Sequence, residues 1–170
     1  MQVEIRRART SDVKSIRQLV DTYTTDRRLL SKATVTLYES VQEFWVAVDD
    51  QDDRVLGCGA LHVMWEDLAE IRTVAVAPAH RGRKIGHQIV SRLLDAAREL
   101  GVSRVFCLTF ETRFFGSFGF TEIDGAPVPH AVYEQLLRSY DEGVAEFLDL
   151  ERVKPNTLGN TRMLLELAPG

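Results

Sequence analysis

Apolar residues along this chain recur with two periods, and the order in which those periods alternate predicts the fold. Val3 to Arg7 alternates apolar and polar positions, as a short first strand does. Ser11 stands as a helix cap ahead of Val13, Ile16, Leu19 and Val20, which are spaced for one helical face. A polar, basic stretch follows, and a second short helix is expected from about Val35 to Val41. Glu43 to Val48 reads as a strand, Asp49 to Asp53 as an acidic hairpin turn and Val55 to Trp65 as a longer strand. Gly57 and Gly59 lie inside that last strand, where something approaches the backbone closely.

Ile71 to Ala77 is a β-rich strand that stops at Pro78. The clearest helix comes next. Ile85, Ile89, Leu93, Ala96, Ala97 and Leu100 lie along one side of it, and Gly101 follows as a C-cap. Arg104 to Phe110 is a continuous apolar strand, the pattern of a strand buried on both faces. A short helix near Thr112 to Phe118, then the segment Phe120 to Ile123, leads into the loop Gly125 to Pro129. A further helix over about Ala131 to Tyr140 and a last strand over Arg162 to Leu167 complete the pattern. This order of helices and strands predicts an α/β class with a mixed sheet flanked by helices.

Composition narrows the picture. A chain of 170 residues fits one compact domain, 1–170, and its 45% hydrophobic and 27% charged residues are ordinary for a globular protein. The net charge of −4 carries no basic excess, which argues against nucleic acid as the main partner. Met1 to Thr10 has no apolar stretch of a signal peptide, and no run approaches the roughly 18 apolar residues of a membrane span. Cys58 and Cys107 sit far apart in apolar segments and read as buried thiols, so a reduced, cytoplasmic protein is expected. His62, His80, His87 and His130 show no metal-ligand spacing; they read as structural or surface residues, and no metal is expected. Trp45 and Trp65 read as core or pocket walls.

The chemistry concentrates between Pro78 and Gly86, where a buried strand passes directly into the amphipathic helix. A helix N-terminus leaves backbone N–H groups unpaired and carries about half a positive charge. Small residues admit a phosphate to those donors, and Arg81, Arg83 and Lys84 add positive charge, which together suit a pyrophosphate. The alternative is a solvated basic turn. Walker A needs four residues between its glycines, whereas Gly82 and Gly86 enclose three and are followed by His87. A dinucleotide fingerprint lacks its third glycine in phase.

Val74-Ala75-Val76-Ala77-Pro78 followed by Arg81-Gly82-Arg83-Lys84-Ile85-Gly86 resembles the signature of the GNAT acyltransferase superfamily, Arg/Gln-x-x-Gly-x-Gly/Ala. Arg81 and Gly86 match, and Lys84 replaces the first glycine, which leaves the backbone N–H in place if Lys84 adopts the required dihedrals. Phe114-Phe115-Gly116-Ser117-Phe118-Gly119-Phe120 resembles the superfamily's Phe-Tyr-x-x-x-Gly-Phe segment beside the coenzyme thiol, with Phe115 and Phe118 as contacts. The resemblance implies acetyl-CoA as co-substrate and a splayed pair of parallel strands, around Ile71 and Phe106. Pantetheine would then bond the main chain around Val74 and Val76, with the pyrophosphate on Arg81, Gly82, Arg83, Lys84, Ile85 and Gly86.

Leu37-Tyr38-Glu39, Glu43-Phe44-Trp45-Val46-Ala47, Gly57-Cys58-Gly59-Ala60-Leu61, Glu70-Ile71, Leu108-Thr109 and the tail from Lys154-Pro155-Asn156 through Met163-Leu164 are similar to the bacterial N-acetylglutamate synthases. The short single-domain form of actinobacteria is the nearest in kind. That resemblance implies acetyl transfer to the α-amine of L-glutamate, the first step of arginine biosynthesis. Glu70 matches the position of a general base acting through water; the other reading is an exposed strand-end carboxylate. A main-chain N–H near Val74 would stabilise the oxyanion. Phe115 stands where many members carry a tyrosine that protonates the leaving thiolate, so that role is vacant.

For the acceptor, Lys32, Arg72, Thr109 and Thr161 are the implied substrate residues, with Lys32 equally readable as a solvated surface lysine. The synthases carry Arg-x-Ser before the last strand; here Gly159-Asn160-Thr161 keeps a hydroxyl and loses the arginine, and Arg162 substitutes if its side chain faces the site. The missing arginine leaves open another acceptor, such as glutamine or a small amine, and Phe115 leaves open a non-catalytic acyl-CoA-binding module. The resemblance also implies a possible homodimer paired through the C-terminal strands.

Overall fold

A computed structural model describes residues 2–24, 33–157 and 159–168 of the chain. The elements run β1 (Val3–Arg7), α1 (Val13–Thr24), α2 (Thr34–Glu39), β2 (Phe44–Asp49), β3 (Val55–Trp65), β4 (Leu68–Val76) and α3 (Ile85–Leu100). They continue as β5 (Arg104–Thr109), α4 (Thr112–Gly116), β6 (Thr121–Glu122), α5 (His130–Leu136), α6 (Glu142–Phe147), α7 (Lys154–Thr157) and β7 (Thr161–Glu166). The strands form a mixed sheet in the order β1-β2-β3-β4-β5-β7-β6, the α/β class predicted from the pattern. Two compact units divide the chain, one made of Met1–Leu61 and Thr73–Ala96, the other of His62–Arg72 and Ala97–Gly170.

In the first unit β1, β2 and β3 pair antiparallel, with Ile5 opposite Ala47 and Val46 opposite Cys58. All six residues of β2 are buried, which is why Phe44 to Val48 is a continuous apolar run rather than an alternation. α1 presents Val13, Ile16, Leu19, Val20 and Tyr23 to a core completed by Leu37, Phe44, Val46, Val48, Cys58, Ala60 and Ala75. Each large aliphatic side chain withdrawn from water there contributes about 1.5–3 kcal/mol. The start of α1 departs from expectation. A 3-10 turn at Thr10–Asp12 precedes it, and Asp12 rather than Ser11 accepts a backbone bond, from the Arg9 N–H at 2.7 Å. Asp12 also pairs with Arg6 at 2.8 Å, a charge-assisted bond that a serine hydroxyl cannot match.

The two glycines of β3 are explained by α3. A Cβ on Gly59 would lie 2.7 Å from Ile89 Cγ2 and 3.0 Å from Leu93 Cδ1, and one on Gly57 2.9 Å from Ile89 Cδ1. Ile85, Ile89, Leu93, Ala96 and Ala97 are buried as predicted, but Leu100 is 62% exposed, because the last helical turn lacks cover. Gly101 caps that end with φ 87°, and the Val102 N–H donates to the Ala97 carbonyl at 2.9 Å.

In the second unit β4 and β5 pair parallel at Leu68↔Arg104, Ala69↔Val105 and Glu70↔Phe106. β5 pairs antiparallel with β7 from Arg104↔Glu166 to Thr109↔Thr161, and β7 with β6 at Thr121↔Leu164. The strand expected from Ile71 therefore begins at Leu68, and its three extra residues are those that carry the parallel ladder. The core here comprises Met64, Leu68, Phe106, Leu136, Val144, Phe147, Leu148 and Leu164, with Phe106 and Phe147 edge to face at 5.2 Å. Short elements differ most from the pattern. α2 ends at Glu39 with a 3-10 turn over Val41–Glu43 behind it, α4 ends at Gly116 and α5 at Leu136, and α6 and α7 follow where no helix was expected. Cys58 and Cys107 are free, buried thiols, one in each unit.

Gly59→Ala is expected to cost about 1–3 kcal/mol by overpacking α3, read as a lower urea midpoint with an unchanged m-value. A midpoint equal to wild type would mean that Ile89 and Leu93 yield without strain.

Candidate active site

The basic loop leaves β4 through a 3-10 turn at Pro78–His80 and enters α3 at Ile85. Gly82 has φ 81° and Lys84 φ 61°. Lys84 thus adopts the left-handed backbone that a glycine would supply, the condition its substitution in the signature required. The Gln88 N–H donates to the Lys84 carbonyl at 3.1 Å, closing the first helical turn. The N–H groups ahead of it have no partner within the helix, as at any helix start. Arg81 is fixed to the end of α1: its Nε donates to the Tyr23 hydroxyl at 3.1 Å and its guanidinium lies 5.0 Å over the Tyr23 ring. The Tyr23 hydroxyl in turn donates to the Val76 carbonyl at 2.5 Å. His80 Nδ1 is buried without a hydrogen-bond partner, so the loop retains polar capacity for a ligand. Arg83 and Lys84 are exposed, Gly86 is half-buried and Ile85 is buried as the helix's first core residue.

Within β4, Thr73 has φ 58°, an uncommon conformation for a β-branched residue. Its carbonyl accepts a bond from Cys58 Sγ at 3.4 Å. Such strain costs on the order of 1–3 kcal/mol and persists where surrounding packing over-determines it. Val74 follows immediately, and Val74 and Val76 are half-buried.

Glu70 is 2% exposed, not a strand-end carboxylate at the surface. Arg72, two positions along the strand, places its Nε and Nη2 each 2.6 Å from Glu70 Oε1. The same guanidinium donates from Nη1 to Asp141 Oδ2 at 2.8 Å and from Nη2 to Asp141 Oδ1 at 2.6 Å. His62 Nε2 stands 3.7 Å from Asp141 Oδ2. Burial pushes the Glu70 carboxyl above the ordinary glutamate range, against the pull of Arg72. Burial also works against the Asp141 carboxylate, but the Arg72 bonds outweigh it and hold that group far below the usual range.

Thr109 and Thr161, named separately from the sequence, are direct partners across β5 and β7. The Thr109 hydroxyl accepts the Glu111 N–H at 2.8 Å. Arg162 does not take up the place of the missing arginine. Its Nε donates to the Glu146 carbonyl at 3.4 Å, its Nη2 to the Phe147 carbonyl, and its guanidinium stacks 5.6 Å over Phe106. Phe115 packs edge-on against Phe114 at 5.1 Å and Phe120 at 5.4 Å, and Phe118 against Phe114 at 5.4 Å. Lys32 lies outside the described residues. Sequence reasoning missed Asp141, Tyr23 and the placement of His62. A signal for the first existed: an aspartate three residues before Val144 and six before Phe147 is a helix-cap spacing.

Residues 13–120 match the acetyltransferase (GNAT) family, and the chain belongs to it. It is 65% identical over 164 residues to an amino-acid acetyltransferase of Mycobacterium tuberculosis, covering 96% of this chain and 94% of that protein. The M. tuberculosis protein Rv2747, solved in complex with CoA and NLQ, superposes with a TM-score of 0.94 at 64% identity, over 97% of this chain and 99% of that one. N-acetylglutamate synthase from Neisseria gonorrhoeae, complexed with coenzyme A and N-acetyl-glutamate, shares the fold at a TM-score of 0.77 and 22% identity, over 99% of this chain and 36% of that one. Among the described residues no helix is long and apolar enough to cross a membrane, and no cluster of His, Cys, Asp or Glu could hold a metal ion.

Lys84→Gly is expected to raise KM for acetyl-CoA by only about two- to fivefold, the loss of one cation near a helix end. Lys84→Val, which resists the left-handed backbone, is expected to raise it by at least about tenfold. Equal effects in steady-state kinetics would mean that the side chain, not the backbone, matters here.

Proposed function

We propose that this acetyl-CoA-dependent amino-acid acetyltransferase acetylates the α-amine of L-glutamate, the entry step of arginine biosynthesis. The observation that carries the reading is the 65% identity, spanning 96% of the chain, to an amino-acid acetyltransferase. Glu70 supplies the chemistry: burial on the central strand raises its carboxyl above the ordinary glutamate range, which makes it a better proton acceptor than a free glutamate. The ammonium group of the acceptor gives a proton to Glu70 through water, and the free amine attacks the thioester carbonyl. As the N–C bond forms, a main-chain N–H near Val74 steadies the oxyanion. The C–S bond then breaks as the nitrogen gives up its second proton to solvent, and coenzyme A leaves as thiolate, taking its own proton from solvent because Phe115 has no hydroxyl to offer.

One observation favours a second acceptor, a neutral amino acid such as glutamine. Arg72 spends its donors on Glu70 and Asp141, and Arg162 on the end of α6, so neither is presented to a second substrate carboxylate. Lys32 then becomes the cation for glutamate. Coenzyme A release followed with a thiol reagent is expected to show the highest kcat/KM with L-glutamate among amino acids and simple amines. Lys32→Ala is expected to raise KM for glutamate but not for glutamine. Equal turnover across amines would refute an amino-acid acceptor, and a higher kcat/KM with glutamine would transfer the assignment to it.

A further inference from the structure

We propose that Asp141 is a positioning residue for the acetyl transfer: from the start of α6 it holds part of the Arg72 guanidinium away from Glu70, which keeps Glu70 able to accept a proton. This rests on the reading of Glu70 as the base. A buried glutamate paired fully with an arginine would be a poor base, since the cation favours its charged form. Here the two-pronged pairing, Nη1 and Nη2 onto both carboxylate oxygens, goes to Asp141 at 2.8 and 2.6 Å. Glu70 receives both of its Arg72 contacts on Oε1. Neither of these contacts falls on Oε2, the oxygen proposed to take the proton.

Asp141 is not placed by Arg72 alone. Its Oδ1 accepts the Val144 N–H at 3.1 Å as the N-cap of α6, and its own N–H donates to Ser139 Oγ at 3.1 Å. Arg162 binds the carbonyls at the other end of the helix, and Phe147 packs on Phe106, the strand partner of Glu70. Gly143 lets the first turn come close: a Cβ there would stand 2.1 Å from Glu70 Oε1 and 2.4 Å from Arg72 Nη2. The helix thus sets the distance between the two carboxylates that compete for one cation. The charged and titratable groups facing Glu70 are Arg72 on its own strand, Asp141 ahead of α6, His62 on β3 and the Cys107 thiol on β5. Of these, Asp141 opposes the charged form of Glu70 both by its own charge and by occupying Arg72.

The test is the pH dependence of kcat in Asp141→Asn and Asp141→Ser, both of which keep a good helix cap while removing the charge. Glu70 then loses a like charge and gains the whole of Arg72, and both effects lower its pKa. The acid limb of kcat is expected to move down by on the order of one pH unit, with plateau kcat reduced about tenfold by the weaker base. KM for acetyl-CoA is expected to stay within about twofold, and Asp141→Glu, which keeps the charge, to return the limb toward wild type. An acid limb unmoved in the folded neutral variants, a limb displaced equally in Asp141→Glu, or melting temperatures that collapse in both neutral variants would each make Asp141 structural and overturn the proposal. Glu70→Gln separates the two readings. If it keeps wild-type kcat and limb, Glu70 is not the base; if it loses them while Asp141→Asn changes nothing, only the role of Asp141 falls.

Discussion

One guanidinium shared by two carboxylates governs the second unit of this protein. Glu70 is buried in a parallel strand, where an unpaired carboxylate would cost several kcal/mol. Arg72 offsets that cost from the same strand, and Asp141 offsets the cost of Arg72 from the start of a helix. Each of the three is tolerable only because of the next. The arrangement explains why residue 143 is glycine, since any side chain there would enter the ion pair. It also explains why a helix of only six residues is stable: it is fastened by arginines at both ends and by Phe147 in the core.

β4 carries this charge network and the two valines proposed for pantetheine within a few residues of sequence. Its parallel ladder to β5 ends at Glu70, Thr73 takes a left-handed conformation, and Val74 follows. At its far end the Val76 carbonyl is tied through the Tyr23 hydroxyl to Arg81, so the strand, α1 and the basic loop share one chain of hydrogen bonds. Backbone strain at Thr73 and Lys84 falls on either side of the two valines proposed to bind pantetheine. Strain of this kind persists where packing over-determines it, and both positions border buried residues of the first unit.

Most of the fold was legible because long elements declare themselves. β1 and β3 have the bounds their patterns predict, Gly101 caps α3, and the paired glycines of β3 face α3. The signature loop was legible too, down to the dihedral demanded of Lys84. For Glu70 the sequence leaves a surface carboxylate open beside the general base, for a physical reason. A charged residue ahead of an apolar run looks like a strand boundary, and its burial depends on a partner 69 positions beyond Arg72. No local pattern reports a pairing that distant. α6 failed for a related reason: six residues give fewer than two helical turns, too few for periodicity to stand out. The condition set for Arg162, a side chain facing the site, is decided by the carbonyls of α6, which no sequence neighbour reports.

The two free cysteines have a use unconnected with the chemistry. Burial pushes the Cys58 thiol up to about 12, and burial together with the charge of Glu70 pushes Cys107 higher still. Neither reacts as thiolate while its surroundings are closed. Because Cys58 belongs to one compact unit and Cys107 to the other, the chain carries a separate built-in reporter for the opening of each. Alkylation rates at the two sites would measure whether the halves of this protein breathe together or apart, with no label introduced.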